Sequence, residues 1–150
     1  MATIQLPRDF KEFLRLLNEH HIEYLIVGGY AVSYHGFPRT TGDLDIWVDS
    51  NQETAAKLVL VLNKFGFGAT SPTPDLFLKP GNIVRMGVPP LRLEIMTAIS
   101  GIQFSEAYAR RVVETFDNEP ANVISLSDLR INKRAAGRLK DLNDLENLPE

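Results

Sequence analysis

The stretch from Tyr24 to Asp49 restricts the fold more than any other part of the chain, because it places two strand signals around a glycine pair. Tyr24-Leu25-Ile26-Val27 is a short apolar run closed by Gly28-Gly29, the pattern of a buried strand ending in a turn. After a spacer covering residues 30–42, Leu44, Ile46 and Val48 alternate with Asp45, Trp47 and Asp49. That period of two predicts a strand with one face in the core. In such a strand Asp43 and Asp45 leave the same face with Cα atoms roughly 6.5 Å apart, close enough to converge on one cation or to bridge two.

The surrounding segments alternate between helical and extended patterns. Phe10, Phe13, Leu14 and Leu17 recur at helical spacing behind Pro7, which a first turn tolerates, and predict an amphipathic helix. Ala31 to His35 is long enough for one or two helical turns. A second helix is expected over residues 53–65, with Leu58, Val61, Leu62 and Phe65 inward, followed by an exposed connection at Thr70-Ser71-Pro72-Thr73-Pro74. Ile83-Val84-Arg85-Met86 and Leu91-Arg92-Leu93-Glu94-Ile95-Met96 read as strands, residues 104–111 and 126–147 as helices, and Val112 to Phe116 as an edge strand. The expectation is a small α/β or α+β fold, a mixed sheet flanked by helices. With 150 residues, 44% of them hydrophobic, residues 1–150 suit a single domain with a substantial core.

Composition removes several classes of function. The absence of cysteine excludes disulfides, a thiolate nucleophile and a cysteine zinc site, and His20, His21 and His35 are not spaced for a histidine one. Any metal must therefore be held by oxygen. No uninterrupted apolar run of about 18 residues is present and the N-terminus lacks a secretory pattern, so a cytoplasmic protein without membrane association is expected. A net charge of -3 argues against a wholly basic nucleic-acid binder, yet Arg130, Lys133, Arg134, Arg138 and Lys140 form a local basic group.

Two unpaired carboxylates beside Leu44 and Ile46 repel one another, and a cation removes that cost. Mg²⁺ suits the pair, since it takes a few carboxylates and completes its shell with waters and substrate phosphate oxygens. Gly28 and Gly29 end a strand before a helix, where backbone N–H groups can face a phosphate without a Cβ between. Neither the glycine pattern of a dinucleotide fold nor that of a P-loop is present. Glu94 alternates with Leu93 and Ile95, and so becomes the candidate third carboxylate of a two-ion site. Its competing role is an ordinary glutamate paired with Arg92 or another base.

Val27-Gly28-Gly29 followed by Asp43-Leu44-Asp45-Ile46 resembles, in order and spacing, the signature of the DNA polymerase β superfamily of nucleotidyltransferases. The longer stretches Tyr24 to Val32, His35 to Gly42, Arg92 to Ile95 and Asn132 to Asp141 look like the small bacterial proteins related to AbiEii-type toxin nucleotidyltransferases. The resemblance implies Asp43 and Asp45 as ligands of two Mg²⁺ ions, Glu94 as the third acid where relatives often carry aspartate, and Gly28 and Gly29 as holders of the NTP triphosphate. It also implies nucleotide contacts from Lys133 and Asp141, set on one helix face with Gly137 between them, while Ala135, Leu139 and Leu142 face the core. The alternative is a solvated helix laced by pairs such as Lys140 with Asp144. Arg39 is a bidentate triphosphate donor or a surface partner, and Trp47 flanks the site or covers a helix. The activity implied is transfer of an NMP from an NTP to an acceptor hydroxyl, on tRNA, a protein or a small molecule, with release of pyrophosphate. A second protomer or a partner chain is expected to complete the acceptor site. Two competing readings are a non-catalytic binding module of a toxin-antitoxin pair, and a glycosyltransferase whose Asp-x-Asp holds a metal.

Overall fold

The computed structural model describes residues 4–39, 41–67, 73–88 and 91–150, and of residues 67 and 88 the backbone alone. Helix α1 (Arg8–Glu19) follows Pro7 and buries Phe10, Phe13, Leu14, Leu16 and Leu17. All four residues of strand β1 (Tyr24–Val27) are buried, and helix α2 (Gly28–Tyr34) begins directly at the glycine pair, three residues before the expected start. In β2 (Asp43–Val48), Leu44, Ile46 and Val48 are fully enclosed, as the alternation requires. Helix α3 (Gln52–Leu62) is capped by Asn51, whose side chain accepts from the Thr54 amide at 2.8 Å, and runs into a π-type turn at Asn63–Phe67. Of the proline-rich connection, Thr70, Ser71 and Pro72 lie outside the described residues, and Pro74 opens a 3₁₀ turn (Pro74–Phe77).

Strands β3 (Ile83–Val88) and β4 (Leu91–Met96), helix α4 (Phe104–Ala109), strands β5 (Val112–Phe116) and β6 (Glu119–Val123), and helices α5 (Leu126–Ala136) and α6 (Leu139–Asn147) complete the molecule. The sheet has six strands in the order β3-β4-β2-β1-β6-β5. It is mixed: β2 pairs parallel with β4 and antiparallel with β1, while β6 pairs parallel with β1 and antiparallel with β5. The expected fold class is the one found. The buried apolar side chains form one cluster, tied together by edge-on contacts of Phe10 with Tyr30 and of Phe13 with Phe65.

Two departures from the sequence reading have clear causes. β6 was not expected, because Pro120 argues against a strand inside a sheet. Its pairing with β1 is recorded at Ile26 and Val123, while Pro120 lies opposite Thr115 of β5. Asp117 and Asn118 join β5 to β6 with φ of 51 and 68, the two left-handed residues of a tight hairpin, and that Asp-Asn pair was the missed signal. Residues 126–147 form two helices rather than one. Gly137 takes φ 67, its amide returns to the Lys133 carbonyl at 3.0 Å, and α5 ends there.

The break overturns the helix face drawn from sequence. Lys133, Asp141 and Asp144 are buried, as are Asp128 and Leu129, whereas Ala135 is exposed and Leu139 and Leu142 are 87% and 46% exposed. A face drawn on one continuous helix failed because α5 and α6 face one another across the turn, so the inward side of each is chosen by its neighbour rather than by one continuous period.

Candidate functional site

The register of two parallel strands assembles the acids. β2 and β4 pair with Asp43 opposite Arg92, Asp45 opposite Glu94 and Trp47 opposite Met96. Each of Asp43, Asp45 and Glu94 offers a carboxylate oxygen, and the three oxygens lie within 4.8 Å of one another. Further along the same face of β2, Trp47 is buried and meets Phe104 of α4 edge-on at 5.1 Å. The strand face is therefore polar at one end and closed by aromatics at the other, which makes Trp47 a cover for a helix rather than a wall of the site.

All three acids are half-buried. Burial pushes the Asp45 carboxyl up to about 7, and the charge of Glu94, a hydrogen bond with Glu94 and the charge of Asp43 add to the effect, against the opposing charge of Lys140. Asp45 Oδ1 is enclosed and has no hydrogen-bond partner among the described residues. A buried carboxylate oxygen left without a donor is costly, and a hard divalent cation on the three carboxylates satisfies it and relieves their mutual repulsion. The donor set, all oxygen and partly open to a cleft, fits Mg²⁺.

Gly28 explains how Asp45 fits. The glycine has φ 64, and a Cβ built on it falls 1.9 Å from Asp45 Oδ2. At Gly29 a Cβ meets Thr41 Oγ1 at 2.6 Å. Gly28 lets the β1–α2 turn pass over the aspartate and Gly29 lets it pass Thr41, so the spacing between Val27-Gly28-Gly29 and Asp43-Leu44-Asp45-Ile46 is a packing constraint as well as a motif.

The acids open onto a cleft of about 700 Å³. Gly28, Gly29 and Arg39 line it from the β1–α2 side, Arg85 and Arg92 from β3 and β4, and Lys133, Arg138 and Lys140 from the α5–α6 hairpin. Asp43 accepts two bonds from Arg92, at 3.3 Å from Nε and 3.2 Å from Nη2, and Glu94 accepts from Arg85 Nε at 2.8 Å. Glu94 thus pairs with Arg85, and Arg92 takes Asp43 instead. Sequence reasoning missed both arginines as cleft residues, although Arg92 stood one strand period from Glu94.

Arg39 forms a fork on Asp144 of α6, both bonds 3.1 Å. Lys133 Nζ lies 3.3 Å from Asp141 and 3.1 Å from Asp144, all three being nearly enclosed. Asp141 also accepts from the Arg138 amide at 3.2 Å and from Arg138 Nε at 2.7 Å. Burial acts to raise the Asp141 carboxyl, but the bond from Arg138 and the charge of Lys133 outweigh it and hold it below its ordinary value. Asp144 takes Arg39 and Lys133 in place of the expected Lys140. Asp141 lies behind the cleft wall, where it orients Lys133 and Arg138.

No family model matches the chain, and no curated protein matches it. Solved structures do. A candidate nucleotidyltransferase from Thermotoga maritima superposes with a TM-score of 0.61 at 14% identity, over 95% of this chain and 94% of that one. An antigenic nucleotidyltransferase-like protein from Paracoccidioides brasiliensis superposes with a TM-score of 0.52 at 17% identity, over 97% of this chain and 77% of that one. The chain therefore has a nucleotidyltransferase-like fold, with three carboxylates compatible with metal binding at its cleft.

Proposed function

We propose that the protein is a Mg²⁺-dependent nucleotidyltransferase that moves an NMP from an NTP to an acceptor hydroxyl. The observation that carries this reading is the enclosed Asp45 Oδ1, without a partner among the described residues, within a three-carboxylate cluster beside the Gly28 turn. Asp43, Asp45 and Glu94 would hold the metal, two ions in the full reading, which would lower the charge of the phosphates and make the acceptor hydroxyl a better nucleophile. Gly28 and Gly29 leave room for the triphosphate, and Arg39, Lys133, Arg138 and Lys140 offset its charge, with Asp141 positioning two of them. The acceptor oxygen bonds to the α-phosphorus as the bond to the bridging oxygen breaks, and pyrophosphate carries away the electron pair. Glu94, part of the cluster yet open to the cleft, receives the hydroxyl proton. Rate comes from alignment and charge neutralisation rather than from a covalent intermediate.

Calorimetry with each NTP, with and without Mg²⁺, tests the site. Binding should require Mg²⁺ and vanish in Asp43→Asn/Asp45→Asn, and metal-independent binding unchanged in that variant refutes the assignment. The second reading is a binding module of a toxin-antitoxin pair without turnover, favoured by the arginine pairs that already occupy Asp43 and Glu94. Incubation with α-labelled NTPs and cytoplasmic extract separates the two, since only an enzyme leaves label on RNA, protein or a small molecule. The same assay identifies the acceptor, and its repetition with increasing protein concentration shows whether a second protomer completes the site.

A further inference from the structure

The sheet order places the carboxylates between two differently equipped sides of the cleft. Gly28 belongs to the β1 side of β2, and Arg85 and Arg92 to the β4 and β3 side. In an in-line displacement the attacking oxygen and the leaving pyrophosphate lie on opposite sides of the phosphorus. With the triphosphate on the glycine side, as proposed above, the acceptor enters past Arg85 and Arg92.

These two guanidiniums are well placed to meet it. Their side chains are 59% and 37% exposed, and each uses one or two of five N–H donors on Glu94 or Asp43. Ile83, 49% exposed on the same strand face as Arg85, adds apolar surface beside them. Charge points the same way. Six basic side chains line the cleft, namely Arg39, Arg85, Arg92, Lys133, Arg138 and Lys140, against the three carboxylates and the buried partners Asp141 and Asp144. The wall is thus positive by one before any divalent ion enters, and two such ions more than match a triphosphate. A cationic acceptor is repelled there, and a neutral one leaves the remaining N–H donors of both guanidiniums without an anion.

We propose that Arg85 and Arg92 form an acceptor subsite for a phosphate group, so that the acceptor is a phosphate-bearing hydroxyl compound, either a polynucleotide end or a phosphorylated small molecule. This rests on the nucleotidyltransferase reading. The test uses the full chain with Mg²⁺ and a non-transferable α,β-methylene NTP. Three probes are titrated into it: a fluorescent oligoribonucleotide, a nucleoside 5′-monophosphate and the same nucleoside without phosphate. The oligoribonucleotide or the monophosphate should bind at least roughly tenfold more tightly than the nucleoside, with affinity falling as salt rises. Arg85→Gln and Arg92→Gln should each weaken that binding roughly tenfold. On the same variants, at saturating Mg²⁺-NTP analogue, the ratio of phosphate-probe to nucleoside affinity should fall towards one, a ratio that separates loss of this subsite from any change in nucleotide binding. Binding of the oligoribonucleotide alone identifies a polynucleotide acceptor, and binding of both phosphate probes identifies a small phosphorylated one. Equal affinity for phosphate and non-phosphate probes, or phosphate binding indifferent to both substitutions, overturns the proposal while leaving nucleotide binding intact. Failure of the parent to bind the Mg²⁺-NTP analogue overturns the parent reading, and the subsite with it. Arg85→Lys and Arg92→Lys, which keep the charge, serve if a glutamine variant does not fold, and should lose less than the glutamine forms where those can be measured.

Discussion

At the scale of single residues, Asp45 and Gly28 have to be understood together. In the metal-free protein the Asp45 carboxyl is raised from its ordinary 3.8 to about 7, so the native state binds a proton that the unfolded chain releases. Stability from this group is fully present below about pH 4 and is lost as pH rises through 7. Chelator-treated protein should therefore melt at a lower temperature at pH 8 than at pH 5.5. Asp45→Asn should remove most of that slope and raise the metal-free Tm at pH 8, by roughly 2–4 °C for each kcal/mol recovered. Mg²⁺ should stabilise the parent at pH 8 and leave the variant unmoved; melting curves with and without the ion decide it. Gly28→Ala should cost about 2 kcal/mol or more, because it combines a left-handed φ with the contact on Asp45. In Gly28→Ala/Asp45→Ala the carboxylate contact is removed and only the Cβ of residue 45, at 3.1 Å, remains, so denaturant titration should show the two losses to be less than additive, by at least about 0.5 kcal/mol.

At the scale of elements, the α5–α6 hairpin is held by charge rather than by an apolar seam. Lys133 lies between Asp141 and Asp144, and removal of its ammonium leaves two enclosed carboxylates short of a partner. Lys133→Met is expected to destabilise by about 3–5 kcal/mol, measured by urea unfolding at pH 7. Restoring the pairing through a further change of Asp144→Asn should recover part of it. Gly137→Ala is milder, about 1 kcal/mol, since it opposes only the left-handed end of α5. The sequence carried this hairpin incompletely: Gly137 was visible, and so were Lys133 and Asp141, but one glycine amid helix formers does not say whether it interrupts a helix or ends it. Facing partners made that choice.

At the scale of the whole molecule, strands distant in sequence are joined through a few polar contacts. His35 Nε2, at the end of α2, lies 2.7 Å from the Ile124 carbonyl just past β6 and so donates to it. Burial lowers the His35 pKa, more than the bond to Ile124 raises it. The group contributes stability above its ordinary pKa of 6.5, and that stability is lost as pH falls through the folded value, opposite in sign to Asp45. In an Asp45→Asn background, where the opposing slope is absent, His35→Gln keeps a donor and loses the titration, and should flatten the fall in Tm between pH 7 and pH 5; a fall as steep as that of the Asp45→Asn single variant contradicts this role. Tyr24 makes a similar long link, its hydroxyl lying 3.1 Å from Asn18 and 3.4 Å from the Pro120 carbonyl.

The local patterns determined most strands and helices, β6 and the break between α5 and α6 excepted, and which residue types could act. Leu44, Ile46 and Val48 marked the inward face of β2 and Leu93 and Ile95 that of β4, and the same alternation singled out Asp43, Asp45 and Glu94. Period and turn chemistry are short-range properties, so they survive in the one-dimensional text. Which strands lie side by side does not, because it depends on burial summed over the chain. Parallel pairing of β2 with β4 set Glu94 opposite Asp45, the Gly28 turn passed over the same carboxylate, and two arginines came to rest on two of the acids. Tertiary packing alone decided those contacts, since it brings together segments that no local preference connects.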